Sequence, residues 1–165
     1  MSGFHRLLVP LDGSSDAERA LAYVDLLATN EADVALVRAI PTPAALNRMA
    51  GVPAPGVIDI AATGDEMCRE AVSYLDAVKR RLSERGLKAT STIVYGSAEE
   101  VITHYAREIG ADLIVMTTHA RRGLERVVYG SVADTVVRQA NCAVLLVPVR
   151  QSERTGVTQP PLSAQ

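Results

Sequence analysis

The sequence of 165 residues has no tryptophan, one phenylalanine and two cysteines. Each shortage excludes something. With so few aromatic platforms, a protein that stacks the bases of single-stranded nucleic acid is not expected. Cys68 and Cys142 stand far apart and form no Cys-x-x-Cys pair. A disulfide framework or a structural metal site is therefore not expected, and a reducing, cytoplasmic setting is the default. Lys and Arg number 17 against 19 Asp and Glu, a net charge of −2, so charge gives no pull toward nucleic acid or anionic lipid. No apolar run approaches the roughly 20 residues of a membrane-spanning helix, and no secretory leader is expected before the first apolar stretch. The sequence also lacks GxxxxGK[ST], GxGxxG after its first apolar run, GxSxG and HExxH. Those patterns mark phosphate-loop enzymes, dinucleotide dehydrogenases, serine hydrolases and zinc peptidases. No catalytic residue and no metal-ligand set is nominated.

Short apolar runs alternating with helical stripes are what the sequence does contain. His5 to Pro10 reads as a buried strand, ended by a proline that cannot donate to a central ladder. Leu11-Asp12-Gly13-Ser14-Ser15 reads as a tight turn, and Ser15 with Glu18 has capping-box spacing. Ala17, Ala20, Leu21, Val24, Leu27 and Ala28 recur at helical spacing and predict about four turns of helix. Val34 to Val37 is a second strand. Pro41 to about Thr63, rich in proline and glycine, reads as a long connection, either a lid over a ligand or a plain insertion. Met67, Ala71, Tyr74, Leu75, Val78 and Leu82 mark a second helix, stopped near Gly86. Thr90 to Val94 is a third strand. Ser97 with Glu100 begins a helix that Gly110 stops. Leu113 to Met116 is a fourth strand, Gly130-Ser131 opens a helix with Asp134 at capping-box spacing, and Ala143 to Val147 is the last strand.

Five such β-α alternations predict an α/β fold: an open, parallel, doubly wound sheet of five strands, Rossmann-like, with helices on both faces. One domain over residues 1–149 is expected, followed by a disordered tail over 150–165. Ligands of such sheets bind beyond the strand carboxyl ends, where the winding reverses. Topology makes strands one and four neighbours there, so Asp12 and the Thr117–Ser131 segment should face each other across one crevice. A helix starting at Gly130-Ser131 would present free N–H groups and a positive dipole end to an anion.

Three stretches, Val9-Pro10-Leu11-Asp12-Gly13-Ser14, Met116 to Leu124 (MTTHARRGL) and Gly130-Ser131-Val132-Ala133, resemble the universal stress protein family. The likeness runs from about Phe4 to Pro148. It implies the five-stranded fold of the adenine-nucleotide α-hydrolase-like type, a homodimer joined through the last strand, and, in the ATP-binding members, a G-x2-G-x9-G-[S/T] pattern. Here Thr117 and Ala120 stand where the two leading glycines belong, and Gly130-Ser131 completes the pattern. Carried onto this chain, the family's contacts put Pro10, Leu11 and Asp12 beside the adenosine, Ala39 against the base, and Met116 and Thr117 on its other side. His119, Ala120, Gly130, Ser131 and Val132 would surround the phosphates. The resemblance implies ATP, or AMP or ADP, with or without Mg²⁺, and stress-response signalling by a cytoplasmic dimer; no nucleic acid or membrane partner is expected. A nucleotide-free member acting through dimerisation or a docked partner protein is the alternative, and a slow ATPase the second. Simpler roles stand beside these. Asp12 could serve only the turn, His119 could be an exposed loop residue, and Arg121, Arg122 and Arg126 could be solvated surface rather than a phosphate clamp.

Overall fold

The computed structural model describes residues 3–42, 44–46, 60–118 and 130–149. The chain runs as β1 (Phe4–Pro10), a 3-10 turn (Ala17–Ala20) and α1 (Leu21–Leu27), β2 (Ala28–Ile40), α2 (Ile60–Glu84), β3 (Lys88–Tyr95), α3 (Ala98–Glu108), β4 (Leu113–Thr118), α4 (Ser131–Gln139) and β5 (Ala143–Pro148). These strands form one five-stranded sheet in the order β3-β2-β1-β4-β5. Every neighbouring pair is parallel. The chain winds outward from β1 to β3, then crosses back to lay β4 on the free side of β1. The reversal lies between β1 and β4, as the sequence predicts.

Strand alternation sends successive side chains to opposite faces, and both faces are covered. Leu7, Val9, Leu36 and Val115 pack against Val24 of α1 and Leu75, Val78 and Leu82 of α2. Leu8, Val37, Ile114 and Met116 pack against Val101, Ile102 and Ala106 of α3 and Ala133 and Val136 of α4. Each Leu, Val, Ile or Met among them, when fully buried, contributes roughly 1.5–3 kcal/mol of transfer free energy. At the amino ends of the strands Asp112 aligns β4 with β1: its carboxylate accepts the N–H groups of His5 at 2.8 Å and Arg6 at 3.0 Å. The Arg6 guanidinium donates to the Ile109 carbonyl at 2.6 Å.

Several boundaries differ from the sequence reading. The first helical segment is a 3-10 turn followed by seven residues of α-helix, shorter than the stripe suggests. Strand β2 begins at Ala28, so the last residue of that stripe is already extended. Helix α2 begins at Ile60 rather than near Met67, taking in Gly64. The capping boxes also differ. Asp16 caps the 3-10 turn without a side-chain bond; Ser14 Oγ accepts the Ala17 N–H at 3.1 Å, and Glu18 instead receives Arg81 at 2.7 Å. Ser97 does cap α3, but its hydroxyl donates to Glu100 at 2.9 Å. Residue 43, residues 47–59, the 119–129 segment and the expected tail at 150–165 lie outside the described residues. Among the described residues no helix is long and apolar enough to cross a membrane.

Candidate functional site

A cavity of about 280 Å³ opens at the carboxyl ends of β1, β2 and β4, at the winding reversal. Among the described residues its wall includes Pro10, Leu11, Asp12, Ala39, Met116, Thr117, Gly130, Ser131 and Val132, nine of the eleven positions nominated from the sequence. The other two, His119 and Ala120, lie outside the described residues. The sequence reading missed Ala17, Val37, Ala98, Ile102, Thr118 and Ala133, which complete the described wall. Val37 could have been found from strand alternation with Ala39. Ala98 and Ile102 come from the start of α3, which no motif marks as facing ligand.

Asp12 takes part in both the turn and the cavity. One of its carboxylate oxygens accepts the Ser14 N–H at 2.8 Å, closing an Asx turn. Partial burial pushes its carboxyl upward, but hydrogen bonds from Ser14 and the nearby Arg38 charge outweigh that, so its pKa falls below the ordinary carboxylate value. Asp12 is therefore an anion at neutral pH. It suits hydroxyl or amine donors of a ligand and repels phosphate.

Behind the turn, on the opposite sheet face, lies Arg38. Its guanidinium sits 5.6 Å from the Tyr74 ring centroid and 3.6 Å from the Glu70 carboxylate. Burial, followed by the nearby Glu18 charge, pushes the Tyr74 hydroxyl well above its usual range, so it stays protonated. Gly13 has φ of +92°, and a Cβ there would come 3.2 Å from the Arg38 guanidinium. Both facts select glycine. Gly13→Ala should cost roughly 1–2 kcal/mol from the left-handed backbone alone, read as a lower urea midpoint at constant slope. An unchanged midpoint would mean that the turn does not hold this conformation.

The opposite wall is the beginning of α4. Gly130 is the N-cap, with φ of −56° and ψ of 155°, and its side-chain-free cap makes no hydrogen bond of its own. Ser131 is the first helical residue, not the cap, and Asp134 pairs with Arg138 at 2.9 Å rather than reaching back. The first intrahelical bond runs from the Asp134 N–H to the Gly130 carbonyl at 3.0 Å. The N–H groups of Ser131, Val132 and Ala133 consequently have no intrahelical acceptor, and all three residues line the cavity. A Cβ on Gly130 would meet no described atom within 4 Å. Among the described residues nothing stands within that distance on the approach to these donors. The cavity thus has an anionic side at Asp12, an apolar floor, and a donor-rich side at the α4 start.

The universal stress protein family matches residues 3–148. The chain belongs to that family. A universal stress protein of Methanocaldococcus jannaschii is 29% identical over 151 residues, covering 91% of this chain and 85% of that protein. Among solved structures, a second M. jannaschii protein aligns with a TM-score of 0.72 at 26% identity, covering 92% of this chain and 100% of the other. A Burkholderia pseudomallei member of the family aligns at 0.68 and 31% identity, covering 90% and 99%. More distant structures share the fold: a universal stress protein in complex with cAMP, at 21% identity and TM-score 0.59 over 89% of this chain and 98% of that one, and an Arabidopsis thaliana protein with AMP bound, at 15% and 0.58 over 93% and 97%.

Proposed function

We propose that this chain binds an adenine nucleotide in the β1/β4 cavity and acts as a cytoplasmic stress-response module rather than a turnover enzyme. One observation carries the reading: three helix-start N–H groups and the Asp12 carboxylate border the same cavity. The two ends suit the two ends of a nucleotide. Asp12 accepts from ribose or base donors, while the N–H groups of Ser131, Val132 and Ala133, with the Ser131 hydroxyl, receive phosphate oxygens. The apolar floor of Val37, Ala39 and Met116 accommodates a planar base. The residues present therefore fit the group. Fold relatives with cAMP and AMP bound support the same class of ligand. The described wall contains one carboxylate, Asp12, so a divalent ion would be held chiefly by the nucleotide's own phosphates.

The cavity's size favours the nucleoside and its first phosphate. About 280 Å³ is at the lower end of small-molecule sites, and further phosphates would extend past Gly130. Titration calorimetry with AMP and with ATP plus Mg²⁺ should give saturable binding of both. No heat at millimolar ligand would end the reading.

A specific observation favours a second reading, a nucleotide-free member. Thr117 lines the wall where the ATP-binding pattern has glycine, so the chain there is not free to make the close backbone approach that glycine allows. The variant carrying Thr117→Gly and Ala120→Gly separates the two: binding confined to that variant favours the second. Either way, dimerisation has a physical basis in β5, which pairs with β4 on one side and, among the described residues, with nothing on the other.

A further inference from the structure

Arg38 follows Leu36 by two residues on β2, so its side chain leaves the sheet on the face covered by α1 and α2, away from the cavity that Val37 and Ala39 line. Its side chain is only 13% exposed, an uncommon place for a cation. Little on that face offsets the burial. The ion pair with Glu70 is 3.6 Å long and the Glu70 side chain is 70% exposed, so the pair contributes little. Among the described residues Nη1 has no hydrogen-bond partner, and neither has the Tyr74 hydroxyl. Glu18 pairs with Arg81 at 2.7 Å. What the guanidinium does meet is the back of the Asp12-Gly13 turn. A Cβ added to Gly13 would stand 3.2, 3.3 and 3.4 Å from its Nη1, Cζ and Nη2, a face-on approach.

We propose that Arg38 is a positioning residue for the ligand: from the far face of the sheet, and acting through Asp12, it holds the positive charge that lets a nucleotide cover that carboxylate. The inference rests on the nucleotide reading above and adds a residue that does not line the cavity. A ligand closing over Asp12 removes water from an ionised carboxylate. That is costly unless a counter-charge stays close, and the described wall of the cavity contains no cation. Arg38 stands behind the turn instead. The turn is tied to its strand, since Pro10 pairs with Val37 and the Leu11 N–H donates to the Val37 carbonyl at 2.9 Å. Asp12 already responds to the charge: partial burial pushes its carboxyl up, but the Ser14 hydrogen bonds and Arg38 together bring it below the ordinary value. No direct ion pair joins the two, so Arg38 acts across the turn and leaves the carboxylate free to accept from a ligand. The other charged groups on that face are Glu18 with its partner Arg81, and Glu70; Tyr74 stays uncharged.

The test uses the full chain and AMP. Arg38→Met keeps a long side chain beside Tyr74 and removes the charge. It should weaken AMP by at least about threefold. It should also raise the midpoint of the Asp12 carboxyl titration, followed by carbon NMR in the free protein, because a cation that favours the ionised form is gone. Arg38→Lys restores a charge and should bring both quantities back toward wild type. An Asp12→Asn chain can still close its turn through the side-chain oxygen, and there Arg38→Met should no longer change AMP affinity. A loss below about threefold, a loss just as large in the Asp12→Asn chain, a Lys variant as weak as the Met variant, or an unmoved Asp12 midpoint would each overturn the proposal. Should the Met variant not fold, Arg38→Gln against Arg38→Lys makes the same comparison. If wild type does not saturate with AMP, the nucleotide reading fails and this inference with it. If wild type saturates and Arg38→Met binds equally well, this inference alone fails.

Discussion

Gly130→Val should reduce nucleotide affinity by more than about 100-fold, roughly 2.7 kcal/mol, while the protein remains folded. The fold itself does not demand glycine at this position. Its φ of −56° is open to any residue, and the space a Cβ would take holds no described atom within 4 Å. The cost to the free protein is thus confined to a poorer N-cap, roughly 1 kcal/mol, or about 2–4 °C in melting temperature for a chain of this size. The cost to the complex is far larger. Gly130 borders the same cavity as Ser131, Val132 and Ala133, and two methyl groups there should hold phosphate oxygens out of hydrogen-bond range of their N–H groups. Calorimetry on the variant beside its thermal melt reads both quantities. Unchanged affinity would place the anion elsewhere, and a collapsed melt would mean that the site is a packing position.

Ile114→Ala should destabilise the protein by about 2–5 kcal/mol. Ile114 is fully buried in β4, paired with Leu8 of β1 on one side and Val144 of β5 on the other, on the face covered by α3 and α4. Its neighbours belong to three strands and two helices, so the cavity left by truncation has no single element that can collapse into it. Since small proteins are stable by only about 5–15 kcal/mol, this one change removes a large share. Urea denaturation should show a lowered midpoint with an unchanged slope. Leu26, 78% exposed on α1, is the control: Leu26→Ala should move the midpoint hardly at all. A loss below about 1 kcal/mol at Ile114 would contradict the packing of β4 at the sheet centre.

Much of this was legible in the chain before any coordinates. Pro10 ends β1 as its missing N–H requires, the glycine at 110 follows α3, and the short apolar runs around Ile114 and Leu145 are strands, the first buried at the sheet centre and the second lying at its edge. That strands one and four are neighbours followed from topology, and with it the convergence of Asp12, Thr117 and Ser131. Other features were hidden for physical reasons. Gly64 and the prolines before it conceal the start of α2, whose burial of Ala71, Leu75, Val78 and Leu82 offsets the roughly 1 kcal/mol that a mid-helix glycine costs. Ser131 and Asp134 have capping-box spacing, but spacing cannot distinguish an N-cap from a first helical residue, and the cap is Gly130. Arg38 reads as an ordinary charge within a strand; that it lies under Gly13 and beside Tyr74 depends on α2 packing across that face. Thr118 was overlooked because a hydroxyl at a strand end reads as solvated. Its burial depends on β5, α4 and the cavity together.

The central claim is that an adenine nucleotide occupies the crevice between the ends of β1 and β4. Backbone amide spectra of isotope-labelled protein, recorded through an AMP titration, test it most directly. Saturable shifts should concentrate at Asp12, Ala39, Thr118 and Ser131 to Ala133, with little change along β3 or on the α1 and α2 face. Shifts that never saturate, or that gather on the α1 and α2 face, would contradict it.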